Sequence, residues 1–71
     1  MQGESKKDFI HKLSIANKEA HETNYWLHLL KATEENHQTS YHQLINDNQE
    51  LIRLLVSIIK TSKSQLNNSS N

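Results

Sequence analysis

The sequence predicts an all-α protein: an antiparallel helical hairpin that completes a four-helix bundle by self-association. Three observations lead there. Proline is absent and glycine occurs once, at Gly3, a composition that suits long helices and starves a sheet of its tight turns. Two long segments carry apolar residues at steps of three and four, the spacing that keeps side chains on one helical face. Finally, 71 residues without a cysteine have neither a disulfide nor a thiolate zinc site to staple a small core, so a partner surface has to supply the missing burial.

Taken in order, residues 1–4 form a short flexible lead. Ser5 stands before Lys6, Lys7 and Asp8, an S-x-x-D pattern in which the hydroxyl caps the first turn and the carboxylate sits at the positive end of the helix dipole. The first helix is expected over 5–31. Its stripe runs Phe9, Leu13, Ala16, Ala20, Thr23, Leu27, Leu30, widened by Ile10, Ile15, Tyr25, Trp26 and Leu29. Tyr25 and Trp26 are adjacent and leave the helix about 100° apart, so burying both requires neighbours on more than one side. Trp26 reads as an interface anchor, because one aromatic pair does not make a base-stacking platform.

The segment ATEENHQT, 32–39, is polar and lacks a glycine for a left-handed cap. It reads as the turn of the hairpin. The second helix is expected over 40–63, opened by a Ser40-x-x-Gln43 capping box. One stripe runs Tyr41, Leu44, Asn48, Leu51, Leu55, Ile58, Ser62, and beside it Ile45, Ile52, Ile59 and Leu66 recur every seven residues. Two adjacent stripes suit a helix with at least two neighbours. The remainder, 64–71, is a polar tail expected to be disordered.

Polar residues interrupt these stripes at Asn17, Asn24 and Asn48. A buried Asn costs stability and can fix register or oligomeric state by pairing with a counterpart, with an exposed surface position as the alternative.

Charge and motif content narrow the function. Eight Lys and Arg balance eight Asp and Glu, whereas a duplex-binding domain normally carries a basic excess on one face. The polar lead MQGESKK has no apolar core of a secretory signal. The longest apolar cluster, Leu54 to Val56, falls far short of the ~18 residues a membrane span needs, so a cytoplasmic setting is expected, with no membrane partner. Of the five histidines, His37 closes a formal E-x-x-H with Glu34. In di-iron bundles that motif lies within a helix, occurs twice and has further Glu ligands; here it falls once, in the turn. His21, His28, Glu19 and Glu22 read as a solvated or inter-subunit face. No nucleophile elbow, phosphate loop or isolated carboxylate pair is present. No enzyme, cofactor, metal or small-molecule substrate is expected.

At this point the residues SKKDFIHKLSIA, then KEA, ET and YWLHLLKAT, and ELIRLLVSIIKTSK near the end closely resemble the C-terminal half of the four-helix-bundle family of 23S ribosomal RNA intervening-sequence proteins. The resemblance covers roughly 3–63, and DFIHKL, YWL and LVSIIKT together are specific. It implies a bacterial bundle protein, often encoded within large-ribosomal-RNA genes, whose relatives look like ring-forming homo-oligomers. It also implies that the chain starts where a third helix would, so it either lacks two helices or pairs with itself. Asn17 and Asn24 replace larger or apolar residues of the family, and the family's turn glycine is missing.

Two functional classes follow. The first is a non-catalytic interaction or assembly module, a homo-oligomer (dimer or larger ring) whose interface uses Phe9, Leu13, Trp26, Leu27, Leu30, Leu51, Leu55 and Ile58. The alternative is a nucleic-acid accessory protein, of ribosomal RNA or retroelement type, for which Lys6, Lys7, Lys12, Lys18, Lys60 and Lys63 are the candidates.

Overall fold

The computed structural model describes residues 5–69, and it is a hairpin: α1, Lys6–Thr33 (28 residues), and α2, Gln38–Ser69 (32 residues), run antiparallel. Together they form a rod of 54 × 18 × 16 Å. Among the described residues there is no strand. The absence of Pro and of any interior Gly lets each helix run its full length unbroken. No described helix is long and apolar enough to cross a membrane.

Ser5 caps α1 as its sequence context requires. Its Oγ accepts the backbone N–H of Asp8 at 3.1 Å, and Asp8 lies in the first turn, where the helix dipole favours a negative charge. At the far end Glu34 leaves the helix in an extended conformation while its N–H still reaches the Leu30 carbonyl at 2.8 Å.

The turn occupies only 34–37, shorter than the polar segment suggests. α2 starts at Gln38 rather than at Ser40, so the Ser40-x-x-Gln43 pattern lies inside the helix and caps nothing at its start. A stronger device replaces it. The Gln38 amide donates back to the Lys31 carbonyl at 2.8 Å and to the Glu34 carbonyl at 2.6 Å, satisfying two of the carbonyls that the end of α1 leaves open. With no glycine available, His37 takes the left-handed conformation, φ 65°, and its carbonyl accepts the Tyr41 N–H at 3.0 Å.

The two helices meet along a seam that repeats every seven residues, the pattern of an antiparallel coiled coil. On α1 it runs Ile10, Leu13, Asn17, Ala20, Asn24, Leu27, Lys31; on α2 it runs Tyr41, Ile45, Asn48, Ile52, Leu55, Ile59, Ser62, Leu66. Every one of these is buried or half-buried. The seam is therefore displaced from the stripes that stand out in the sequence. Leu13, Ala20 and Leu27 belong to both, but Phe9, Ala16, Thr23 and Leu30 flank the seam, and Asn17 and Asn24 occupy it. On α2 the second stripe, Ile45, Ile52, Ile59 and Leu66, goes inward.

Ser62 is buried and Leu66 half-buried, and α2 continues past Lys63, where the polar composition suggests an end. It stays helical through 64–69. The expected lead, 1–4, and the last two residues of the expected tail, 70–71, lie outside the described residues.

Candidate functional site

A seven-residue seam in an antiparallel pair divides the hairpin into two flanks. Residues immediately before Ile10, Asn17, Asn24 and Lys31 share one flank with those immediately before Ile45, Ile52 and Ile59. That flank is apolar: Phe9, Ala16, Thr23 and Leu30 from α1, and Leu44, Leu51 and Ile58 from α2. Leu44 and Leu51 are 49% and 46% exposed, and Phe9 40%. Next outward stand Trp26 and Leu54, both more than half exposed. The opposite flank carries Ser14, His21 and His28 of α1 and His42, Gln49 and Lys63 of α2, with Val56 its apolar exception.

The interface candidates thus divide by position. Leu13, Leu27 and Leu55 are in the hairpin's own seam, Leu55 buried and the other two half-buried. Phe9, Leu30, Leu51 and Ile58 are gathered on the apolar flank, Ile58 half-buried and the other three exposed. Trp26 borders that flank, its ring edge-on to Tyr25 at a centroid distance of 5.2 Å and an interplanar angle of 72°, a favourable quadrupolar arrangement. Leu44 and Leu54 complete the surface. Leu44 was legible as part of a stripe, but Leu54 is placed here only by the pairing of the helices.

Beneath this flank the core is thin. Buried apolar residues are Ile10, Ala20, Ile45 and Leu55, and no described side chain is less than 2% exposed. The seam also holds polar atoms. Asn48 donates its amide to the Ala20 carbonyl at 2.7 Å, whereas the buried Oδ1 atoms of Asn17 and Asn24 accept no hydrogen bond.

Hairpin topology also redistributes charge. The pairings Lys6 with Gln65 (3.0 Å), Ala20 with Asn48, and Lys31 with Gln38 set the register. Lys60 and Lys63 consequently stand beside the first turns of α1, near Lys6, Lys7 and Lys12, and Arg53 stands near Lys18. Seven of the eight basic residues are thus in the half away from the turn, where Asp8 is the one acid among the described residues. Glu19, Glu22, Asp47, Glu50, Glu34 and Glu35 occupy the turn half, with Lys31 the one base. The chain is neutral in total and strongly dipolar along its length.

The E-x-x-H of the turn is used up by the turn itself. Glu34 Oε1 accepts the Asn36 N–H, while Oε2 is 3.3 Å from His37 Nδ1 and accepts the Tyr41 hydroxyl at 3.2 Å. The His37 bond, with help from Asn36 and Tyr41, holds the Glu34 carboxyl below its ordinary pKa against a smaller upward push from burial. Partial burial, and then the Glu34 charge and hydrogen bond, push the Tyr41 phenol up. Among the described residues no three His, Cys, Asp or Glu side chains are grouped to hold a metal ion.

Comparison with known proteins gives one result on family and none on individual relatives: no curated protein and no solved structure matches the chain. The sequence model of the family described as 23S rRNA-intervening sequence protein matches residues 1–57 of the 71. That match spans α1, the turn and the first half of α2, so it includes most of both flanks of the hairpin. The chain belongs to the family of 23S rRNA-intervening sequence proteins.

Proposed function

We propose that the chain is a non-catalytic interaction module that works by self-association, two or more hairpins burying their apolar flanks to complete a four-helix bundle. The observation that carries this reading is the row of Phe9, Leu30, Leu44 and Leu51, each 40–49% exposed, over a core that has four buried apolar side chains among the described residues. Contiguous apolar surface on this scale marks an interaction site, and a two-helix seam leaves too little burial to offset the entropy of ordering two long helices. The titratable groups of the turn support a structural assignment, since His37 and Tyr41 both bond to the Glu34 carboxylate.

Sedimentation equilibrium over a dilution series, with helicity recorded on the same samples, tests it. The expected result is an assembly of defined mass whose helicity falls as it dissociates. A fully helical monomer at all concentrations would refute it.

A second reading, an accessory protein on nucleic acid, is favoured by one observation. Lys6, Lys7, Lys12, Lys18, Lys60 and Lys63 converge on the half of the rod away from the turn, which gives a neutral chain a local basic excess. Its signature is RNA binding that weakens steeply with salt, in proportion to the phosphates neutralised. Absence of binding at low salt removes it.

A further inference from the structure

On the outer side of α1 we infer a docking site for an arginine-bearing basic segment of another protein, built by Tyr25, Trp26 and Leu29 around Glu22. Ile15, Glu22 and Leu29 are seven residues apart. With the seam passing through Asn17, Ala20 and Asn24, their row lies on the side of α1 turned away from α2. Tyr25 and Trp26 stand on either side of that row, each within the i+3 or i+4 spacing of both Glu22 and Leu29. Tyr25 is 62% and Trp26 57% exposed, and Ile15 and Leu29 are exposed as well, so the hairpin gives none of them a core to fill. The apolar flank adjoins Trp26 but leaves Glu22, Tyr25 and Leu29 outside it. The site is therefore open in a single hairpin and in an assembly closed over that flank.

Charge complementarity names the occupant. Glu22 is at the centre of the site with Glu19 one turn before it, and among the described residues neither joins an ion pair. The turn half around them holds six described acids and the single base Lys31, a field that repels phosphate and attracts cations. Within it the two aromatic rings meet edge to face, 5.2 Å apart at 72°. That arrangement holds them as one block and leaves ring face for a cation to lie on.

A guanidinium suits this site better than an ammonium. It stacks flat on an indole or phenol and at the same time offers a planar fork to the Glu22 carboxylate. Ile15 and Leu29, on either side of Glu22 along the row, then take apolar side chains of the same segment. A second copy of this chain is a poor occupant, since its cations are lysines except Arg53, which already donates to Glu50 at 2.7 Å.

Trp26 is the one tryptophan of the chain, so its emission reports the site directly. The probe is a short helical peptide with capped ends and with Arg and Leu at steps of three and four, titrated into the full chain at low salt with sedimentation of the same samples. The expected result is a saturable emission change, with affinity about 3–10-fold weaker when the peptide's Arg are replaced by Lys. Glu22→Lys and Tyr25→Ala, both at exposed positions outside the seam, should each weaken it about fivefold or more with helicity unchanged. Glu50→Lys makes the same charge change on the outer side of α2 and should stay within about threefold. Equal losses for Glu22→Lys and Glu50→Lys, or full affinity in Tyr25→Ala, overturn the site in favour of unlocalised charge attraction. A stronger emission response to an oligouridine strand than to the peptide, or a fall in mass for Tyr25→Ala, also overturns it, because a nucleic acid or a second copy then covers the face. No saturable response to the peptide overturns it outright and leaves self-association, read from the mass, to stand or fall separately.

Discussion

The side-chain amide of Asn48 donates to the backbone carbonyl of Ala20 across the seam, at 2.7 Å. The two residues are 28 apart in sequence, and the bond needs the missing side chain of alanine to let the amide reach the opposing backbone. A seven-residue slip of α2 on α1 would preserve most apolar contacts along the seam but would carry Asn48 away from Ala20. The bond therefore selects one register among several of similar burial, a role known for polar residues in coiled-coil seams.

Replacing Asn48 by Ala should cost about 1–2 kcal/mol, the loss of one hydrogen bond together with side-chain packing. Urea unfolding monitored by helicity measures it. Asn48→Leu should behave differently, regaining most of that stability through apolar burial while losing register, which shows as a multiplied set of amide resonances. A single sharp set of resonances in Asn48→Leu would sink the register role.

Asn17 and Asn24 stand on the other side of this comparison. Each has a buried Oδ1 with no hydrogen-bond partner, and an unsatisfied buried polar atom costs about 1–3 kcal/mol. Asn17→Leu and Asn24→Leu should each raise stability by ~1 kcal/mol or more and add apolar surface to the seam. Melting temperature together with mass checks this. An unchanged mass with a raised melt assigns both residues no part in stoichiometry, while a changed mass would show that they restrain it.

These asparagines also explain what could be read from the sequence. The all-α class, two helices, a hairpin and the Ser5 cap follow from Pro and Gly usage, spacing and local capping chemistry. Which of two adjacent stripes turns inward does not follow, because Phe9, Ala16 and Leu30 are more apolar than Asn17, Asn24 and Lys31 in the row one position on. The choice is made by how the two helices face each other, with Ile45, Ile52 and Ile59 opposite. The start of α2 was hidden for a similar reason: Ser40-x-x-Gln43 has the local chemistry of a cap, but Gln38 reaching back to Lys31 and Glu34 is a contact between helix ends. Charge polarity was invisible because Lys60 and Lys63 are far in sequence from Lys6 and Lys7 and become neighbours only in the hairpin.

The turn should make the hairpin pH-sensitive at both extremes. Glu34 has a lowered pKa, caused chiefly by His37, so its charged form is the one the fold favours. Its contribution is fully present above the ordinary carboxylate pKa and is lost as pH falls through the lowered value. Tyr41 has a raised pKa, so its contribution is present below the ordinary phenol pKa and lost as pH rises through the raised value. Glu34→Gln should flatten the acid limb of a stability profile, and Tyr41→Phe the alkaline limb. Superimposable acid limbs for Glu34→Gln and the parent would rule out this origin.

His37 should be replaceable with profit. A non-glycine residue at φ 65° carries a cost of about 1–2 kcal/mol, and its contact with Glu34 lies at the surface, where such pairs contribute little. His37→Gly should therefore be neutral to ~1 kcal/mol more stable by urea unfolding. A loss of more than ~1 kcal/mol would show that the Glu34 contact outweighs the backbone strain.

The strongest test of the apolar flank separates association from folding. Leu51 is 46% exposed in the hairpin and stands outside the seam, so Leu51→Lys leaves the contacts between α1 and α2 in place. In an assembled bundle the same ammonium is forced between two apolar rows, a penalty of several kcal/mol. Self-association should weaken by ~100-fold or more, since each 1.4 kcal/mol is tenfold. Val56→Lys puts the same charge on the opposite flank at a comparable exposure, 38%, and should leave association within about threefold of the parent, the scale of a surface substitution. Sedimentation equilibrium on the three proteins decides it: equal weakening by both substitutions would mean that the two flanks are used alike, and no weakening by Leu51→Lys would mean that the apolar row is not where the copies meet.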